Sequence, residues 1–516
     1  MAQRAALHCR LLAVALLLGG CARLGPDFQA QRESWTEQWS TAALEQATQP
    51  RQQPDLSQWW QVFNDPVLER LIAEADTNNA GVRIAGLRVV EARAQLGIAQ
   101  AGRYPQVQQA SAEALYVHSR PSGGVQPTRV WQYSAGVDVG WELDFWGRFS
   151  RAIESADAAY FASRATYEDV LVLLHAQLAQ TYFTLRAAQA RLHIARENAR
   201  LQKRSFEITE RLFKGGESDE LDLQQAKTQY LGTLSSIPEL EGQILHARNA
   251  LAILIGRPPA PMHALLDMPE KEGIVPLIDR AVLQDVPANL LLRRPDIRAA
   301  ELQVAAQSAL IGVAKADLYP SLTLLGNIGW SASSLPGTPN GFVVIAGPSL
   351  RWNILDYGRI RNNVRIQDAR LQQLIVSYQD SVRQAAREAD DAASGLIKAL
   401  EREAILGEAS TAANRSLTLA NALFREGYSD FQRVLDAQRA LFAQQDAYLV
   451  NRSAAVGNLI ALYKALGGGW QTGQPLVDAA TRQQMEQRTD WGRLIEEATS
   501  EPAGKRASVQ GDRPDE

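Results

Sequence analysis

Cysteine is almost absent: the 516 residues hold two, Cys9 and Cys21. Neither can supply a disulfide to the mature chain on the reading below, so cross-links are excluded as a source of stability, and cysteine redox or metal chemistry with them. Histidine is sparse too. Six are scattered without metal-ligand spacing, which removes the common imidazole metal centres. There is no phosphate loop and no Gly-x-Ser-x-Gly, and acidic pairs such as Asp390-Asp391 sit on adjacent faces of a polar helix. The usual enzyme signatures are therefore missing, and the chain reads as a non-enzyme without cofactor or metal. No window approaches eighteen consecutive apolar residues, so no transmembrane α-helix is available. A chain of this kind that crosses a membrane must do so with strands. An excess of positive charge is also lacking. The net charge is −4, and −6 once Arg4 and Arg10 leave, which argues against nucleic acid as a partner.

What is present begins at the N-terminus. Residues 1–20 read as a secretory signal: Arg4 and Arg10 precede an apolar run from Leu11 to Leu18 that is too short to span a bilayer. The run ends in Leu18-Gly19-Gly20-Cys21, which is similar to a bacterial lipobox, with cleavage expected before Cys21 and a lipid on its thiol. Residue 22 is alanine rather than aspartate, as in lipoproteins sorted to the outer membrane.

The chain also contains itself twice. Phe213-Lys214-Gly215-Gly216-Glu217-Ser218-Asp219 returns as Phe424-Arg425-Glu426-Gly427-Tyr428-Ser429-Asp430, a shift of 211. The same shift carries Gly147-Arg148 onto Gly358-Arg359 and Ile255-Gly256 onto Leu466-Gly467. Upstream the shift is 215, carrying Tyr104-Pro105 onto Tyr319-Pro320. One unit was built and repeated, which predicts a pseudo-symmetric assembly.

Each copy lacks helix breakers over a long stretch. No proline or glycine occurs from Arg148 to Phe213, and no proline from Arg359 to Phe424. Apolar residues recur at three and four, as at Leu171, Leu174, Leu178, Tyr182 and Leu185, so each stretch predicts a helix about 100 Å long. Shorter helices are expected at 66–100 and 219–256 in the first copy and at 287–317 and 430–466 in the second. Each short pair has about the length of one long helix, so the pair is expected to stack end to end beside it. Gly215-Gly216 and Glu426-Gly427 make the turn at one tip. Ahead of each long helix lie two alternating segments. Ala135, Val137, Val139, Trp141, Leu143 and Phe145 alternate with small or charged residues for the length a tilted strand needs to cross a bilayer. Leu322, Leu324, Ile328 and Trp330, and then Phe342, Val344, Ala346, Leu350 and Trp352, repeat the pattern, while the segment near 106–118 is noisier. Aromatic residues cluster near the strand ends, as in a membrane girdle. Four strands cannot close a barrel and an open edge in lipid is forbidden, so strands in a membrane require several copies, and three would give twelve strands. A half-buried sheet in a soluble protein is the plainer reading of the same alternation.

Longer motifs accompany these patterns: Trp59-Trp60-Gln61-Val62-Phe63-Asn64-Asp65-Pro66-Val67-Leu68, Leu292-Arg293-Arg294-Pro295-Asp296-Ile297-Arg298-Ala299-Ala300-Glu301, Val434-Leu435-Asp436-Ala437-Gln438-Arg439, and Leu462-Tyr463-Lys464-Ala465-Leu466-Gly467-Gly468-Gly469-Trp470. On these, with the lipobox, the chain resembles the TolC-type outer-membrane factors, closest to the lipoprotein branch that serves tripartite efflux systems of the RND type. The resemblance implies a mixed α and β fold. In it a homotrimeric twelve-strand transmembrane β-barrel, four strands per chain at about 105–118, 130–145, 320–333 and 342–354, continues into a long α-helical periplasmic barrel with a small equatorial domain. It implies a lipidated equatorial segment at 21–64, repeat one at 65–256, an equatorial linker at 257–286, repeat two at 287–470, and a polar tail at 471–516, disordered from about Glu496. It further implies diacylglycerol and an N-acyl chain on Cys21, a periplasmic adaptor and an inner-membrane pump as partners, outer-membrane lipid around the strands, and passive export of drugs or other small molecules.

The same resemblance places a periplasmic gate at Asp436 and Arg439. Their spacing of three puts both on one helix face, and a trimer turns each into a ring. Arg439 is expected to pair with an acid on a neighbouring helix. Other members carry a second aspartate where this chain has Arg433. Asp430 and Arg425 lie near the same tip and join the gate, and Gly215, Gly216, Gly427 and Ser429 are candidates for adaptor docking. The plainer readings are a solvated ion pair worth a few tenths of a kcal/mol and tight turns that need glycine. Two other functions fit parts of the pattern: a lipid-anchored periplasmic scaffold without a pore, and an exit duct for protein secretion.

Overall fold

The computed structural model describes residues 23–29, 56–119, 128–259, 275–278, 294–332, 341–470 and 475–499. Cys21, the signal, the strand loops at 121–124 and 336–340 and most of the 257–286 linker lie outside them. The chain runs α1 (Pro66–Asn78), α2 (Ala80–Ala101), β1 (Val107–Ser119), β2 (Thr128–Glu142), α3 (Arg148–Lys214), α4 (Glu220–Leu254), α5 (Pro295–Ala316), β3 (Ser321–Ala332), β4 (Gly341–Arg351), α6 (Arg359–Arg425), α7 (Phe431–Ala465), α8 (Ala479–Arg488) and α9 (Leu494–Thr499). The two long stretches free of proline are the 67-residue helices α3 and α6.

Three expectations are corrected. The helix predicted over 66–100 is two, because Asn79 adopts an extended conformation (ψ 127°) and caps α2 by accepting from the Gly81 and Val82 amides. Local side-chain capping outweighs helix propensity there. Helical order continues past Glu496: α9 buries Ile495 and Ala498 while Glu496 and Glu497 pair with Arg482 and Arg93. A polar surface hides a two-residue apolar stripe. The strands expected to run to 145 and 354 end at Glu142 and Arg351, where Leu143 makes one last bond to Leu322 O (2.9 Å) and the chain turns toward the long helices.

α2 and α4 both lie along α3, and α5 and α7 both lie along α6, as the length matching requires. The halves meet where α3 packs against α5 and α7. Where short helices abut, the copies use the same device with different residues. Asn79 Nδ2 donates to Leu254 O (2.8 Å), and Arg294 Nη1 donates to Ala465 O (3.1 Å). In each case the residue that starts one short helix satisfies an end carbonyl of the other. Arg294 goes further: its guanidinium grips Asp296 at 3.0 and 2.8 Å and reaches Glu388 on α6 at 3.0 Å.

The main core surrounds the middle of α3 and contains the first motif. Trp59 stacks on Tyr463 at 5.2 Å, Trp60 meets His175 edge-on at 4.8 Å, and Phe63 packs on Phe183 at 4.5 Å. Asp65 caps α1 and takes the Tyr182 hydroxyl hydrogen at 2.5 Å. Burial first, and then that carboxylate, raise the Tyr182 pKa. His175 ties Gly469 O at 2.6 Å to Asp76 at 2.5 Å. A separate small core lies near the helical tip, built from Ala226, Ala413, Leu417, Phe431, Val434, Leu435 and Leu441.

Candidate functional site: the helical tip and the strand face

At the tip, α3 closes on Gly215 and α6 on Glu426, each followed by glycine in the left-handed region, Gly216 at φ 77° and Gly427 at φ 75°. Asp219 and Asp430 then start α4 and α7. Asp430 accepts from the Arg433 amide at 3.3 Å, whereas Asp219 makes no such capping bond. Gly215, Gly216, Gly427, Arg425 and Asp430 are exposed and Ser429 is half-buried, so the predicted docking residues share one accessible end of the molecule.

α7 rises from that end with Phe431, Val434, Leu435 and Leu441 buried, which turns Asp436 and Arg439 outward. Arg439 Nη1 lies 3.2 Å from Asp436 Oδ1, and Gln432 Nε2 lies 3.4 Å from the same carboxylate. Within the chain, Arg439 thus pairs along its own helix rather than with an acid on a neighbouring one. At 61% and 54% exposed, the pair contributes about 0.3–0.5 kcal/mol to the helix. Arg433 points to Asp430 at 4.0 Å.

The sequence reading missed the residues behind this surface. Gln438 is buried between Leu435 and Leu441, its Nε2 donating to Ser205 Oγ on α3 (2.8 Å) and its Oε1 unpartnered. Asn198 bonds Gln445 at 3.2 Å, and Arg191 grips Asp446 through two nitrogens at 2.7 and 3.2 Å. The α3–α7 seam is therefore laced with polar contacts, and α6 meets α7 both through the apolar cluster near the tip and through bonds such as Asn451 to Ala399 O (2.9 Å). Gln438 interrupts an apolar helix face between Val434-Leu435 and Leu441, and that interruption was the available signal.

At the other end, the sheet order is β1-β2-β3-β4, all antiparallel. Residues directly opposite share a face. One face collects Ala110, Val137, Ile328 and Val344, then Ala112, Ala135, Trp330 and Phe342. The other collects Gln109, Asp138 and Asn327, then Ser111, Gly136 and Gly329, then Glu113, Ser134 and Ser331. Asn327 Nδ2 donates to Asp138 Oδ1 at 2.7 Å on that face. β4 breaks the rule by placing Val343 and Ile345 on the polar side. The noisy β1 alternation resolves only at its centre, where Ala110, Ala112 and Ala114 share the apolar face, while Val107, Leu115 and Val117 fall on the other.

Where β2 turns into α3, a fully buried Arg151 holds the segment after the lipidation motif. It donates to Leu24 O at 3.0 Å and pairs with Asp27 and Glu154 at 2.7 and 2.8 Å. Leu24 N donates to Trp146 O at 3.3 Å.

The model for "outer membrane efflux protein" matches residues 71–257 and 286–468, one match per repeat. The chain belongs to that family. It is 31% identical to the probable outer membrane lipoprotein SilC of Salmonella typhimurium, over 89% of this chain and 99% of SilC. It is 32% identical to the cation efflux system protein CusC of Escherichia coli K12, over 89% and 99%. Among solved structures, the outer-membrane channel OprN superposes with a TM-score of 0.80 at 32% identity, covering 87% of this chain and all of OprN. The fold is that of these outer-membrane channels, the protein is an outer-membrane efflux component, and the two strand faces take their meaning from that place. Among the described residues no helix is long and apolar enough to cross a membrane.

Proposed function

We propose that three copies close their four-strand sheets into a twelve-strand barrel, with the Ala110–Val137–Ile328–Val344 face in lipid and the Gln109–Asp138–Asn327 face lining the lumen. The observation that carries this is the register, which gives the central strands β2 and β3 one apolar and one polar face while leaving β1 and β4 as edges. Open edges in lipid are not tolerated, so the sheet needs partners. The paired helices form the periplasmic continuation. Repeat one at 65–256 and repeat two at 287–470 are the two units of each copy, with 21–64, 257–286 and the start of the 471–516 tail around the equator.

The assembly is a passive duct. Drugs or other small molecules enter from an inner-membrane pump, which supplies the energy, and a periplasmic adaptor seats on the tips formed by Gly215, Gly216, Gly427 and Ser429. The protein carries no catalytic chemistry. Its lipid is diacylglycerol with an N-acyl chain on Cys21, and Arg151 docks the segment that follows at the strand–helix junction. Asp436 from each copy forms a ring at the tip, with Arg439, Asp430 and Arg425 around it as the gate. A carboxylate ring favours cations.

Native mass spectrometry of the detergent-solubilised protein, lipid retained, tests the assembly: a trimer of acylated chains is expected, and a monomer or dimer overturns it. In planar bilayers Asp436→Asn lowers the preference for cations without changing the thermal midpoint. An unchanged ion preference removes Asp436 from the gate.

A further inference from the structure

The inner seam of the chain, β2 against β3, is a completed joint between two halves of one duplicated unit. The outer edges, β4 and β1, are the same two kinds of strand without a neighbour. We infer that the seam between copies repeats the seam within the chain residue for residue, and that Tyr357 then covers Tyr104 of the partner subunit. The inference rests on the trimeric reading above and adds its register.

The equivalences come from pairing. In the first hairpin Ala110 lies opposite Val137, and in the second Leu324 lies opposite Pro348. The shift that carries Gly147 onto Gly358 carries Val137 onto Pro348, so Leu324 is the counterpart of Ala110; the shift is 215 up to Pro105 and 214 within the strand, Gln106 being the extra residue between them. The same shift carries Trp141 onto Trp352. Independent geometry agrees: Trp141 Nε1 donates to Arg103 O (3.1 Å) and Trp352 Nε1 to Leu318 O (3.0 Å), each at the end of the helix before its hairpin.

Across the inner seam Trp141 faces Leu324, Val139 faces Gly326, Asp138 faces Asn327 and Ala135 faces Trp330. Carried outward, Trp352 faces the partner's Ala110, Leu350 faces the partner's Ala112, Ser349 faces the partner's Glu113, and Ala346 faces the partner's Tyr116. The chemistry survives the transfer. The bond from Asn327 to Asp138 becomes one from the Ser349 hydroxyl to the partner's Glu113, with donor and acceptor strands exchanged. The small-against-aromatic pair Ala135–Trp330 becomes Ala346 against the partner's Tyr116. In these four pairs apolar meets apolar and polar meets polar, which a slip by one residue would destroy.

The junction below the strands points the same way. In repeat one Trp146 stacks on Tyr319 at 4.6 Å and donates to Pro320 O at 2.8 Å. The counterparts are Tyr357 for Trp146, and Tyr104 and Pro105 for Tyr319 and Pro320. Tyr357 is 99% exposed and Tyr104 67% exposed. Tyr357 also holds φ 51°, a conformation a bulky residue adopts at a cost. Leu355 at 82% and Ile354 at 75% are bare beside it, whereas Leu143 to Trp146 are half-buried. A second copy supplies what repeat one already has.

Paired cysteines in the full-length acylated protein test the register. Directly opposite residues have β carbons about 4.5–5.5 Å apart, against roughly 7–8 Å for diagonal neighbours, so oxidation discriminates between them. Leu350→Cys with Ala112→Cys should yield chains covalently joined on denaturing gels. Leu350→Cys with Ala110→Cys or with Ala114→Cys should not. Ser349→Cys with Glu113→Cys repeats the test on the opposite face, should the first pair disturb the lipid side. Strongest joining in a slipped pair, or none in any pair, in a preparation that native mass spectrometry shows to be trimeric, overturns the register and leaves the trimer standing. If the unmodified protein is not a trimer, the assembly fails and the outer seam with it. Tyr357→Ala should lower the temperature at which the trimer dissociates while Tyr357→Trp restores it, and equal temperatures for all three remove the Tyr357 contact.

Discussion

The two halves of this chain are the same unit finished in different ways. At the strand–helix junction of the first, Trp146 is covered by Tyr319, Leu24 binds its carbonyl, and Arg151 holds the N-terminal segment in place. At the same junction of the second, Tyr357 stands exposed, and the position matching Arg151 is Asn362. At the helix abutment the asymmetry reverses. The first half joins its helices through the Asn79 amide, with Arg257 paired to Glu74 beside it, and the second uses an arginine that bridges three elements. Duplication repeated the backbone plan. Side chains then specialised each copy: the first holds the N-terminal segment through Arg151 and Trp146, and on the assembly proposed above the second meets another chain.

The contrast can be broken experimentally, beginning where burial is greatest. Arg151→Met removes the donor to Leu24 O and the partner of Asp27 and Glu154; with Asp27 exposed, the cost comes from the charge-assisted bond and lost packing and should be about 3 kcal/mol. Thermal melting reads the loss, and limited proteolysis should now cut near residues 24–28. A loss below about 1 kcal/mol would show that the docking of this segment is incidental. Next, Arg294→Ala should destabilise by about 3 kcal/mol and Asn79→Ala by about 1 kcal/mol, measured by denaturant melts of matched preparations. Equal losses would mean that the extra ion pairs of the second half contribute nothing.

Backbone geometry sharpens the comparison further. Gly256 has φ 73°, and a β carbon there would sit 2.3 Å from Asn78 O, whereas Gly216 at φ 77° has open space around it. Gly256→Ala should therefore cost roughly 2–3 kcal/mol and Gly216→Ala about 1 kcal/mol. Matching values would show that only φ matters at these turns. The smallest effect concerns Asp169, on the long helix near the Arg294 cluster. Burial, and then Asp296, raise its pKa to about 6. A carboxyl whose folded pKa lies above its unfolded value is favoured protonated. Its ionisation thus penalises the fold fully above pH 6, and the penalty fades as pH falls toward the ordinary carboxylate range. Asp169→Asn should stabilise the protein at pH 7.5 by on the order of 1 kcal/mol after allowance for partial exposure, and change little at pH 4. Melting midpoints at the two pH values decide it.

Much of the architecture was legible before any coordinates. Long stretches without proline or glycine permit little except helix, a constant offset reports duplication, and strict alternation reports a two-faced strand. The Val434–Arg439 motif lay near the tip because it follows the Gly427 turn closely, and its spacing of three put Asp436 and Arg439 on one helix face. Less legible were features in which one residue answers another far away. Arg151 reads as an ordinary helix charge until Asp27 is seen beside it, and Gln438 reads as solvated until Ser205 is seen across the seam. Asn79 reads as one polar residue in a continuous helix until Leu254 O appears at its amide.

By itself, then, the sequence determined the periodic elements, their repetition and the membrane-compatible strands, since these follow from local propensity and spacing. Only the tertiary structure decided register, capping across elements and which charges are buried. Those depend on distances between residues hundreds of positions apart, and no local pattern encodes such a distance. The alanines of β1 show the division most plainly. Along the chain they are noise, and beside β2 they are one face of a wall.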